Sequence, residues 1–195
     1  MDGHDDGRRT SARAGGVLRR LIADRRGVSA VEFAILLPFM ISLYVAGNET
    51  SLALSIYRKV SHTGATLGDL TSQSSSLTTS DMSNIFAATT AVMSPYSDSG
   101  LKLVVAAVEM KNSAYLVDWS VSQNTNAWTA NTTPPITIPS GLITEGQQII
   151  VTQVKYSYTS TFSLIMKDIW KTSTITLQDV SYFRPRLVSS LAAPS

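Results

Sequence analysis

The chain contains no cysteine. Disulfide staples and thiolate metal sites are therefore excluded. Histidine is almost as scarce: His4 and His62 are the two in 195 residues, too far apart and too few for metal-ligand spacing. No glycine-rich loop of the phosphate-cradling kind is present. Charge is also sparse, at 15% of residues and a net of +2. Beyond residue 27 the chain carries nine Lys or Arg against ten Asp or Glu, so it has no basic stripe for nucleic acid. The many serines lack a base, and Asp118 and Asp179 read as solvated charges on strand faces. The expectation is a protein that is not an enzyme, with no catalytic residues, no cofactor, no metal and neither nucleic acid nor a small-molecule substrate as partner.

What the chain does have is one long apolar run. Val28 to Ala46 is 19 residues with a single charge, Glu32. At about 1.5 Å per helical residue it spans roughly 28 Å, near the ~30 Å hydrocarbon core of a bilayer. Ten of these residues are Val, Ile, Leu or Phe. They contribute about −3 to −6 kcal/mol to insertion, against roughly 2.5 to 3.5 kcal/mol for a central carboxylate. Glu32 lies near one end, where the cost is smaller. Residues 1–27 hold seven arginines and four aspartates, a bias that keeps this leader cytoplasmic. Within it, residues 17–22 have the pattern of a short basic amphipathic helix. Pro38 is a candidate helix kink. Ser29, Ala30, Ala34 and Ser42 are small enough for close helix approach. A secretory signal fits less well, because the apolar core is long and Tyr44-Val45-Ala46 is a poor cleavage site.

The residues around the start of this run form a pattern. Arg25-Arg26 precede Gly27, then come Val31-Glu32-Phe33-Ala34 and Leu37-Pro38, with Gly47 and Glu49 beyond. This resembles the processing site of a type IV prepilin, and in particular the opening of the TadE-like proteins of tight-adherence (Flp) pilus systems. The resemblance covers roughly residues 25–60. It implies cleavage by a membrane-embedded prepilin peptidase between Gly27 and Val28. It also implies that Glu32 and Phe33 serve subunit assembly, with Glu32 pairing the new amine of a neighbouring subunit. The implied partners are the membrane, the peptidase and other pilus assembly subunits. The implied role is a minor pilin or pseudopilin in the bacterial inner membrane, with a periplasmic domain, that can pass into a surface pilus. The alternative is an unprocessed single-span scaffold or binding module of the envelope.

Past Ala46 the helical period continues through Leu52, Ile56, Val60, Leu67 and Leu70. One helix from Val28 to about 67 is expected, with Gly64 and Gly68 as stop points. Residues 71–80 read as a loop ending on Ser80 as N-cap, before a short helix through Met82, Ile85, Phe86, Val92 and Met93 that stops at Ser94-Pro95. From Gly100 the period is two. Strands are expected over 101–110, from Tyr115 to Val121 with Tyr115, Val117, Trp119 and Val121 on one face, over 148–158, and over 173–183 with a bulge near Gln178-Asp179. Ile136 and Ile138 suggest a short edge strand in the loop 123–146, with Trp128 as a plug over the core. Residues 162–170 read as a helical turn or hairpin, and the tail from Leu187 as frayed. The fold class is α+β: a cytoplasmic leader (1–27), a transmembrane helix (28–46) continuing to about 67, and a periplasmic domain (68–195) with a second short helix and an antiparallel sheet of about four strands.

Overall fold

The computed structural model describes residues 26–160 and 174–195. The expected amphipathic leader helix and the 162–170 excursion lie outside these residues. By internal contacts the chain divides into two units, Met1–Asn48 and Glu49–Ser195. The elements are α1 (Arg26–Ser72), α2 (Thr79–Ala91), β1 (Leu101–Lys111), β2 (Ala114–Gln123), β3 (Gln148–Thr159) and β4 (Thr174–Phe183). The strands form one antiparallel sheet in the order β2-β1-β3-β4. The α+β class is therefore as the periodicities require.

Helix α1 does not stop at Gly64 or Gly68. Both glycines sit where the helix meets the sheet. A Cβ on Gly64 would lie in ordinary contact with Val154, Asp179 and Ser181, whereas at Gly68 the ring of Phe183 already fills that place. At Gly68 glycine permits close approach, and its local propensity cost of about 1 kcal/mol is offset by packing. Thr152 Oγ1 donates to the Gly64 carbonyl at 3.1 Å, which ties helix to strand at the same point.

Helix α2 is capped by Thr78, not Ser80. The Thr78 hydroxyl accepts from the Asp81 N–H, and the Asp81 carboxylate accepts from the Thr78 N–H at 2.9 Å. Only Thr78 has an acid three residues on to complete this reciprocal box; Ser80 has Ser83 there. The hydrogen bond from the Thr78 hydroxyl holds the Asp81 carboxyl below its ordinary pKa.

The β1–β2 turn is Asn112-Ser113, both with positive φ (53° and 62°), as the tight hairpin turn whose twist matches the strands demands. The Glu145 carboxylate accepts from both of its N–H groups. Beyond the turn, the expected single face of β2 is split. The register shifts between Ala107 and Val108, because Trp119 pairs with Ala107 but Val117 pairs with Val108. Asp118 is the extra residue, a bulge. Tyr115 thereby lies on one face of the sheet, and Trp119 and Val121 on the other. Asp118 is not simply solvated: it accepts from Gln148 Nε2 at 3.0 Å. Asp179 likewise accepts from Ser181 Oγ at 3.2 Å.

The bulge expected in β4 is absent. Its register against β3 is unbroken from Thr174 to Phe183. Leu177 and Phe183 face one core, Val180 and Tyr182 the other. A change of apolar parity signals a bulge only if one sheet face is wet, and here both are covered. One face packs on Ile56, Val60 and Leu67 of α1 and on Met82 and Phe86 of α2. The segment 123–147 covers the other, bringing Ile136, Ile138, Leu142, Ile143 and Trp128 against Ala106, Val108, Ile149 and Val151. Ile136 and Ile138 act as cover residues, not as an edge strand, since Pro134, Pro135 and Pro139 withhold ladder donors. Burial raises the pKa of the Tyr156, Tyr158 and Tyr182 phenols above the ordinary value.

The tail is docked, not frayed. Leu191 is fully buried. Gln148 grips its backbone from both sides, accepting from the Leu191 N–H at 2.7 Å and donating to its carbonyl at 3.2 Å. The Trp119 indole donates to the same carbonyl at 2.7 Å. Arg186 reaches back to Asp69 at 2.7 Å, and its N–H bonds the Ser72 carbonyl that the end of α1 leaves open.

Candidate functional site: an apolar helix with one carboxylate

A helix on a soluble core buries a stripe. The part of α1 that runs along the sheet does so, with Ile56, Val60 and Leu67 at 3% exposure or less. The earlier part buries nothing. Val28, Phe33, Phe39 and Leu43 stand 56%, 58%, 71% and 77% exposed. In the most apolar window of Gly27–Ser72 no residue is buried, and the helix is long and apolar enough to cross a membrane. A helix that is apolar all round needs lipid or other helices around it. The structure thus holds a candidate single transmembrane helix attached to a folded α+β domain.

Glu32 is the lone acid of this stretch, one turn from its start. It is exposed and has no hydrogen-bond or ion-pair partner among the described residues. A carboxylate on a lipid-facing helix calls for a partner. Phe33 and Val28 flank it, equally exposed.

Gly27 begins the helix, and nothing lies within 4 Å of where its Cβ would be. This separates it from Gly68: no contact among the described residues requires a glycine at 27. Pro38 lies inside α1 without ending it. It withholds the donor that the Ala34 carbonyl would otherwise receive. The Ser42 hydroxyl turns inward and donates to the Pro38 carbonyl at 2.7 Å. That bond satisfies the Ser42 hydroxyl within the helix and leaves the Ala34 carbonyl open.

Among the described residues no three His, Cys, Asp or Glu side chains gather as metal ligands. One polar cluster goes unannounced in the sequence. Lys102, Gln153, Lys155 and Trp128 line a cavity of about 180 Å³ beside the covering segment. The residues are scattered over 54 positions, and only strand register brings them together. No family model, curated protein or solved structure matches the chain.

Proposed function

We infer that the chain is a TadE-like minor pilin or pseudopilin, a structural subunit for assembly of a Flp-type tight-adherence pilus. The observation that carries this reading is the exposed apolar part of α1 with an unpartnered carboxylate five residues after Gly27. The arginine-rich leader fits the cytoplasmic side, leaving the α+β domain in the periplasm. Gly27 suits close approach of a peptidase to the backbone, which a side chain would obstruct. Cleavage after it frees a positive amine on Val28. In a bundle of such helices Glu32 of one subunit pairs with that amine on another, which selects one register. Phe33 packs beside this pair in the same contact.

Replacing Gly27 by Leu tests the processing step. Co-expressed with a prepilin peptidase, the wild-type chain is expected to lose 27 residues and the Gly27→Leu chain to stay whole. An unchanged mature product from the variant would refute the site. A wild-type chain that is never cut would favour the anchored scaffold instead.

A further inference from the structure

Antiparallel pairing of β1 and β3 sets Lys102 directly opposite Lys155, and Val104 directly opposite Gln153. Like charges placed so repel and cost stability. Neither lysine has an ion-pair or hydrogen-bond partner among the described residues. Gln153 is only 7% exposed, yet its carboxamide also has no partner there. Its amide atoms are not themselves sealed from solvent, so the carboxamide opens onto the cleft and is free to bond a ligand there. All three line the same cavity with Trp128, Thr125 and Asn126.

The walls of this cavity are held in place. The Trp128 N–H donates to Ser120 Oγ at 3.2 Å, and that hydroxyl donates to the Val105 carbonyl. Ser122 Oγ donates to the Thr125 carbonyl at 2.6 Å. Asn124, at φ 60°, donates from its side chain to the Leu101 carbonyl at 3.0 Å. A cleft so braced is pre-formed, as ligand sites usually are.

We propose that this cleft binds a carboxylated sugar residue of an acidic glycan. The two ammonium groups are placed to donate to the two oxygens of one carboxylate, which relieves their mutual repulsion. The Trp128 ring offers an apolar face for the sugar ring. Gln153, Asn126 and Thr125 supply the amide and hydroxyl partners that sugar hydroxyls need. The volume, about 180 Å³, is below the ~300 Å³ of a drug-sized site and holds one ring, with the opening left for the rest of a polymer. The proposal rests on the sheet domain alone and stands or falls apart from processing at Gly27.

The test is calorimetric titration of the full-length protein in detergent with an oligomer of galacturonic acid. A neutral galactose oligomer and inorganic phosphate serve as the comparison ligands. Binding of the uronate, weakening with salt, is expected. The double variant Lys102→Gln/Lys155→Gln is expected to lower affinity tenfold or more while the melting temperature holds or rises, because the opposed charges are gone. Trp128→Ala is expected to weaken both the uronate and any neutral oligomer, whereas Trp128→Phe retains most of the affinity. Absence of uronate binding, equal binding of phosphate, or full affinity in the lysine double variant would each overturn the proposal.

Discussion

Cells carrying Glu32→Leu are expected to insert the protein normally and to lack pilus-dependent adhesion. Insertion survives because the change removes a cost. A carboxylate in the membrane is unfavourable by up to about 3 kcal/mol, and leucine is favourable by about half a kcal/mol. Assembly fails for the opposite reason. Removing one partner of a desolvated ion pair leaves the other charge unpaired, which costs roughly 3–5 kcal/mol. Each RT ln 10 is about 1.4 kcal/mol, so the subunit contact weakens by roughly two to three and a half orders of magnitude. Glu32→Ala gives the same outcome without added apolar bulk. Glu32→Gln keeps the shape and loses the charge, so it too is expected to fail. The measurement is piliation by electron microscopy beside membrane fractionation of the same cells. Normal piliation in the leucine variant would remove the pairing role.

The second large effect concerns the folded domain. Gly68→Ala is expected to destabilise it by about 1–3 kcal/mol, since the added methyl must displace the packed ring of Phe183. Gly64→Ala, one turn earlier, meets only ordinary contacts, the nearest at 3.4 Å. There the gain in helix propensity, up to about 1 kcal/mol, is expected to prevail. Two identical substitutions four residues apart on one helix thus move stability in opposite directions. Thermal unfolding of the full chain in detergent measures both, with a fall of roughly 3–10 °C expected for the first. Equal effects of the two would show that α1 does not approach β4 as closely as the structure has it.

These glycines also show where sequence reading reaches its limit. The period of 3.6 through Leu52, Ile56, Val60 and Leu67 is enough to extend α1 past the apolar run, because one face has to meet a core. It cannot distinguish a glycine that ends a helix from one that lets a phenylalanine ring in, since that depends on Phe183, more than a hundred residues away. The strands were legible from their period of two, and their faces only partly so. The Asp118 bulge moves Trp119 to the α1 side, where its indole meets the Leu191 carbonyl. Nothing local to Trp119 signals that bond. The tail looked unstructured because Leu187 and Leu191 show no period, yet a single leucine gripped by Gln148 suffices to dock it. Proline at 134, 135 and 139 argued correctly against a central strand but concealed a cover for the second sheet face. The apolar run of α1 was legible in full, because it depends on consecutive residues. The Lys102–Lys155 cleft was not, because it exists only through register.

The most direct test is the N-terminal sequence and intact mass of the protein recovered from its own membranes. The account predicts a chain that begins at Val28, with the mass of residues 28–195. A chain that begins at Met1, found in full-length form alone, would contradict it and leave Glu32 without its partner amine.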